Sequence, residues 1–329
     1  IRSWQNDLEY NHSENDFKYI KGQFAAKRAM EIAVSGGHNI IMIGPPGAGK
    51  TMIARAVPSI MPNMTFDEAL EVAKIHSVAG QLDGFIYDRP FRTPHHSSTM
   101  VALTGGGQKA RPGEISLAHN GVLFLDELPE YSRQTLETLR QPLEDGTITV
   151  ARNAVSVTYP ADFMLIASMN PCPCGYYGST QRECRCGEKR INAYRSKVSG
   201  PLLDRIDLQI EVAPIDFQEM ISDKPEESSA DIRKRVISAR RIQKERYKGT
   251  GIKCNALMTK AKMNEYCRLD EESQKYMEMA FKTLGMSGRS HDSVLKVSRT
   301  IADLEGSENI QKKHISLAVR YKNLDRNPL

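Results

Sequence analysis

Asn39-Ile40-Ile41-Met42-Ile43-Gly44-Pro45-Pro46-Gly47-Ala48-Gly49-Lys50-Thr51-Met52-Ile53-Ala54-Arg55-Ala56-Val57 decides how this chain is read. Residues 39–43 form a short apolar run of β type, and residues 52–57 read as helix. The glycines and the Lys-Thr pair between them have the spacing of a phosphate-binding loop in its strand–loop–helix context. Glycine lets backbone N–H groups point at phosphate oxygens with no Cβ in the way. The helix N-terminus adds partial positive charge at the same place. Gly44, Pro45, Pro46, Gly47, Ala48, Gly49, Lys50 and Thr51 are therefore expected to cradle a nucleoside triphosphate. Lys50 would reach the β- and γ-phosphates, and Thr51 would offer its hydroxyl to Mg²⁺.

A second strand, Gly121-Val122-Leu123-Phe124-Leu125, stops at Asp126-Glu127. A buried strand that ends in carboxylates suits a Walker B element. Asp126 would hold the Mg²⁺ shell, and Glu127 would polarise the attacking water as general base. The plainer alternative is a strand entering an acidic turn. A third apolar strand, 163–168, leads to Asn170, whose amide could orient that water; a turn-forming Asn before Pro171 is the alternative. Phosphoryl transfer also needs positive charge at the γ-phosphate. Composition cannot choose the cation among 45 Lys and Arg.

The 329 residues suit two domains, and 40% hydrophobic with 26% charged content is that of an ordinary soluble globular chain. No apolar run approaches a membrane span, and no secretory pattern opens the chain. A cytoplasmic location is the default expectation, with no membrane partner. A net charge of +5 permits nucleic-acid binding without implying it. Strand candidates at 39–43, 121–125, 147–151, 155–159 and 163–168 alternate with helical patterns, which predicts an α/β fold with a parallel central sheet. From about residue 216 the segments 226–248, 260–284, 290–305 and 311–323 are charged and helical. The expected organisation is a lead-in at 1–15, a nucleotide-binding core at 16–215 and an all-helical lid at 216–329. The core would carry an insert at 76–119, a β-hairpin at 146–160 and a cysteine loop at 171–187.

That loop holds Cys172, Cys174, Cys184 and Cys186. Four thiolates satisfy tetrahedral Zn²⁺, and metal could order a loop with little core of its own. In a reducing compartment this grouping favours metal over disulfides, with reduced free thiols as the alternative. Four protein ligands leave no open position, so the Zn²⁺ would be structural. Cys254 and Cys267 read as ordinary thiols. His95-His96 could suggest a metal pair. Adjacent side chains in an extended segment point oppositely, however, so hydrogen bonding within a loop is expected instead.

These motifs together resemble the AAA+ ATPases. The long stretches 90–98, 105–107, 111–128, 170–175, 199–207 and 297–304 are similar to the magnesium-chelatase-like ComM/YifB family of bacteria. The resemblance covers residue 16 to the C-terminus. It implies an AAA+ P-loop NTPase core and helical lid, working as a homo-oligomer, a hexameric ring. By the same resemblance Asn170 matches sensor 1, Arg205 an arginine finger acting on a neighbour's ATP, and Arg289 sensor 2. Ile20 and Gly22 match the segment bordering adenine. ComM proteins are implicated in natural transformation as DNA helicases driving branch migration, so branched or single-stranded DNA is an expected partner. Related helicases touch DNA with a hairpin placed as 146–160 is, which makes Arg152 the candidate phosphate contact. In the magnesium-chelatase branch an insert like 76–119 faces the ring channel. The family usually carries a Lon-protease-like domain upstream, so this chain is expected to be the C-terminal ATPase part. A metal-insertion motor of the magnesium-chelatase type and a regulatory nucleotide-binding module are the alternative functions.

Overall fold

The computed structural model describes residues 15–322 apart from 83, 85, 153, 154, 180, 181, 216, 222 and 223. Most of the expected lead-in thus lies outside the described residues. The described residues hold nine strands: β1 (Ile40–Ile43), β2 (Phe91–Arg92), β3 (Gly105–Gly106), β4 (Arg111–Pro112), β5 (Val122–Leu125), β6 (Thr147–Arg152), β7 (Val155–Pro160), β8 (Met164–Met169) and β9 (Leu208–Glu211). The central sheet runs β2-β5-β8-β1-β9, with every pairing parallel. β3 with β4 and β6 with β7 form antiparallel pairs outside it. Alternate residues of the central strands feed two apolar layers. Ile40, Met42, Phe124, Ile166 and Leu208 face one, and Ile41, Leu123, Leu125, Leu165 and Ala167 face the other. Burial of both faces explains why these strands read as unbroken apolar runs.

All five expected strands are present. Four more were not anticipated: β3 and β4 pair only with each other, while β2 and β9 lie at the edges of the central sheet. β9 lies within 208–211, where Gln209 and Glu211 interrupt the apolar signal. β2 lies inside the stretch expected to be one insert. Residues 76–119 are therefore not a single projection, because Phe91 and Arg92 pair with Val122 and Leu123 at the sheet edge.

The helices beyond residue 216 begin where hydroxyl or carboxylate side chains can take a first-turn N–H. Ser228, Thr259, Asp270 and Ser287 cap the helices at Ser229–Arg246, Lys260–Tyr266, Glu271–Thr283 and Gly288–Leu304. The segment expected to be helical over 260–284 holds two helices. Asp270 caps the second one, and Leu269 bridges to Ile310. The helical region shares one apolar cluster with the sheet, through Ile232, Val236, Val294, Val297, Ile301 and Ile315.

A buried polar seam fixes that contact. His38, fully buried after the Phe24–Gly36 helix, has Nδ1 3.2 Å from Asp207 Oδ2 and Nε2 2.8 Å from Thr300 Oγ1. Ser293 donates to Asp207 (2.6 Å), and Asn255 donates to both Thr300 (3.0 Å) and Asp303 (2.9 Å). Burial alone would raise the Asp207 pKa. The hydrogen bond and charge of His38, with Lys322 and Ser293, outweigh it and hold the carboxyl at about 2.

Because this carboxyl is depressed from 3.8 to about 2, its contribution is complete above pH 4 and is lost as pH falls towards 2, about 2 kcal/mol in all. Asp207→Asn should lower the melting temperature at pH 7 and shrink the acid-induced loss of stability between pH 4 and 2, both measurable by thermal unfolding across that range.

Candidate functional site

The register of the central strands assembles a cluster at their C-terminal edge. Leu125 pairs with Ala167 and Ile43 with Met169. Asp126 therefore comes beside Ser168, and Gly44 beside Asn170. The Gly44 N–H donates to the Met169 carbonyl (3.2 Å). A Cβ on Gly44 would meet the Val212 carbonyl at 2.2 Å, so only glycine fits this close passage. Gly47 (φ +80°) and Gly49 (φ +87°) turn the loop into the left-handed region, and a Cβ on either would meet no protein atom. The loop thus opens onto free space with its N–H groups at the start of the Lys50–Ala56 helix. That donor set fits phosphate oxygens.

Lys50 is 8% exposed and donates to the carbonyls of Gly44 (2.7 Å) and Pro45 (2.9 Å) and to Asn170 Oδ1 (3.2 Å). Burial lowers its pKa, and the charges of Asp126 and Glu127 oppose that shift. Thr51 donates to Asp126 Oδ2 (2.9 Å), so the two groups expected at Mg²⁺ stand together. Their oxygen ligands suit that hard cation. Ser168 donates a short hydrogen bond to Asp126 Oδ1. Glu127 sits at φ +53°, and its N–H donates to Asp126 Oδ1 (3.1 Å) and towards Ser168 Oγ (3.3 Å). Left-handed backbone at a non-glycine residue is uncommon and strained. Here it turns the half-exposed Glu127 side chain towards His96, whose Nδ1 lies 3.4 Å from Glu127 Oε2.

The His95 and His96 rings lie 4.0 Å apart rather than on opposite sides, because 95–98 is a turn closed by Ser98 N–H donating to the His95 carbonyl. The expectation of hydrogen bonding within the loop holds: His95 Nδ1 is 2.7 Å from Ser97 Oγ. Tyr131 pins the same loop by donating to the Pro94 carbonyl (2.5 Å).

On the other flank, Gln23 Nε2 donates to the carbonyls of Ala48 (3.2 Å) and Ala213 (2.7 Å), tying the 16–23 segment to the cradle. Gly22 (φ +59°) gives its N–H to Glu226 (2.9 Å). Ile20 turns its side chain into the apolar core, at 4% exposure.

Arg205 and Arg289 are not in this cluster. The Arg205 carbonyl accepts from Asn39, at the start of β1 (3.2 Å). Asn39 and Gly44 are five residues apart, about 16 Å of strand. Both arginines line a cleft of about 990 Å³ at this opposite edge. Both pair with one carboxylate: Arg205 Nη2 meets Glu144 Oε2, and Arg289 Nη2 lies 2.9 Å from Glu144 Oε1. The Arg205 side chain is 10% exposed, and its Nε is buried with no hydrogen-bond partner among the described residues.

Cys172, Cys174, Cys184 and Cys186 bring all four Sγ atoms within 4.8 Å of one another. Three of the edges are 3.4, 3.7 and 3.6 Å. Zinc–sulfur bonds of about 2.3 Å in a tetrahedron imply edges of about 3.8 Å, so the set fits such an ion. Burial opposes ionisation of Cys174, but the backbone N–H groups of Tyr176 and Arg185 and the neighbouring thiols hold it down to about 6. Cys254 and Cys267 are buried elsewhere. β6 ends at Arg152, whose side chain lies outside the described residues, as do Asn153 and Ala154.

Sequence reasoning missed Ser168, Glu144 and the pairing of His96 with Glu127. A hydroxyl in the otherwise apolar strand 164–169 was a usable signal for Ser168. Glu144 and His96 lie far in sequence from their partners and carried none.

Residues 16–220 match the family model for magnesium chelatase subunit ChlI, and residues 226–322 match the model for its C-terminal region. The chain is 43% identical over 317 residues to the uncharacterized protein YifB of Escherichia coli strain K12, covering 95% of this chain and 61% of that protein. It is 44% identical over 315 residues to competence protein ComM of Haemophilus influenzae, covering 94% and 60%. It is 24% identical over 309 residues to the chloroplastic magnesium-chelatase subunit ChlI-2 of Arabidopsis thaliana, covering 85% and 67%. The chain thus spans about three-fifths of the length of its YifB and ComM relatives. No helix among the described residues is long and apolar enough to cross a membrane. With its parallel sheet, phosphate cradle and helical C-terminal region, the chain belongs to the magnesium chelatase ChlI family of AAA+ ATPases and is of the ComM/YifB kind.

Proposed function

We propose that this chain is the ATP-hydrolysing motor part of a DNA-remodelling protein that works as a ring, a hexamer, of identical subunits in the cytoplasm. One observation carries the reading: Lys50, Thr51, Asp126 and Asn170 meet at one edge of the sheet, while Arg205 and Arg289 share Glu144 at the other. In a ring of head-to-tail copies, one subunit's arginines face the next subunit's cradle.

The N–H groups from Gly47 to Thr51 hold the phosphates, and Lys50 leaves the loop carbonyls for the β- and γ-oxygens. Thr51 and Asp126 would hold Mg²⁺, which would supply positive charge against the phosphates. Glu127 takes the proton of the attacking water, and Asn170 orients that water. Ile20 and Gly22 border the adenine. Arg205 and Arg289 from the neighbouring subunit stabilise the transition state. To do so they must leave Glu144, whose carboxylate occupies the place a phosphate would take between them. Cys172, Cys174, Cys184 and Cys186 would hold Zn²⁺, which would order the loop after Asn170. Arg152 at the end of β6 meets a DNA phosphate. Branched or single-stranded DNA in recombination or transformation is the proposed substrate, as the family resemblance of the sequence implies and as the printed name of one relative, a competence protein, suits.

Glu127→Gln should keep ATP binding and lower turnover by roughly 10²–10⁴-fold, read by equilibrium binding beside a phosphate-release assay. Arg205→Ala and Lys50→Ala subunits should each be inactive alone, with the finger's loss costing roughly a thousandfold or more. Mixed together they should recover turnover, because one supplies the cradle and the other the arginines; no recovery in mixed rings would defeat catalysis between subunits. Branched or single-stranded DNA should raise the wild-type ATPase rate, and Arg152→Ala should weaken that stimulation. A rate indifferent to every DNA form would leave the metal-insertion motor as the better reading.

A further inference from the structure

The cysteine loop touches the phosphate cradle itself. Gly175 closes a tight turn by donating its N–H to the Cys172 carbonyl (3.0 Å). It stands at φ +84°, and a Cβ there would lie 2.5 Å from Pro46 Cδ and 3.2 Å from Pro46 Cγ. Pro46 is the middle of the cradle. On the other side, Pro171 joins Cys172 to Asn170, whose amide accepts from Lys50. Arg195, in the helix after Cys186, returns to donate to the Pro171 carbonyl (3.1 Å). The turn bearing the first two cysteines is thus wedged between the cradle and Asn170.

Apolar packing does little to hold that turn, although Arg182 lies over the Tyr176 ring and Arg195 over the Tyr177 ring. Among the described residues of 172–187, Cys172 and Gly175 alone are buried. The segment has almost no apolar core, so binding of an ion by its thiolates would supply the free energy that orders it. A glycine-rich loop such as 44–49 is conformationally loose. A fixed wall against Pro46 lowers the entropy lost when the loop closes on phosphates.

We propose that the thiolate-bound metal sets nucleotide affinity, by holding Gly175 against Pro46 so that the cradle is preorganised. The proposal rests on the zinc and ATP readings above and goes beyond them by making the metal a regulator of the ATP site. Loss of the metal, by chelation or by oxidation of its thiols, would then silence the motor at the binding step.

The test uses the full chain, with zinc measured by elemental analysis and affinity by titration with a fluorescent non-hydrolysable ATP analogue. Protein stripped by a chelator under reducing conditions, then freed of chelator and resupplied with Mg²⁺, should bind about tenfold more weakly, the ratio given by a 1.4 kcal/mol change. Zinc should restore the affinity. Gly175→Ala should keep its zinc yet bind the analogue more weakly, and adding Pro46→Ala, which removes the two ring atoms that crowd the new Cβ, should recover part of the loss. Unchanged affinity after stripping overturns the proposal even if Gly175→Ala does not fold, and so does unchanged affinity in zinc-loaded Gly175→Ala. Purified protein with no zinc and free thiols overturns the metal reading and this proposal with it. Zinc-loaded wild type that ignores the analogue overturns the ATP reading instead.

Discussion

In a parallel sheet every strand finishes on the same edge, and the pairing register decides which residues meet there. Here Leu125 opposite Ala167 and Ile43 opposite Met169 bring the ends of three strands together within two residues of each other. A slip of one position would turn each strand's apolar residues to the wrong layer. The packing of two apolar faces thus enforces the meeting of Gly44, Asp126, Ser168 and Asn170. The site needs no dedicated scaffold of its own, because the core that stabilises the sheet also aligns the cradle with its carboxylates.

Within that arrangement charge is held in reserve. Lys50 is buried against loop carbonyls and the Asn170 amide, and Asp126 is held by both Thr51 and Ser168. Glu127 keeps a left-handed backbone and a histidine neighbour. Across the sheet, Glu144 pairs with both arginines and competes for the donors a phosphate would use. The Arg289–Glu144 pair, half exposed on both sides, exchanges easily because solvent screening keeps it weak, whereas Arg205 is largely buried. The Arg289 contact therefore suits a group proposed to change partners during a cycle.

The helical region is joined to the sheet by apolar packing and by the seam of His38, Asp207, Thr300, Asn255 and Asp303. Such a network is specific, because every buried polar atom demands its own partner. Asp207 stands two residues after Arg205, and Ser293 four after Arg289. The segments that carry the two arginines are thus tied to each other through the Ser293–Asp207 hydrogen bond.

Local sequence was enough for the phosphate loop, the acidic strand end, the Asn170 strand, the hairpin strands and the cysteine grouping. Each is a contiguous run whose residue types are dictated by backbone conformation or ligand chemistry. The two-residue β2 and the polar-interrupted β9 escaped, because edge strands are defined by pairing rather than by composition. The break at 267–270 escaped because helical periodicity continues through it, and only the Asp270 cap and the bridge from Leu269 reveal the stop. The amino-acid sequence determined which chemistry this chain can carry, since glycines, carboxylates and thiols announce themselves by type and spacing. Tertiary structure alone decided who stands beside whom: the two arginines far from their own cradle, Glu144 between them, His96 on Glu127 and Gly175 against Pro46. Those contacts join residues distant along the chain, and only packing sets distances of that kind.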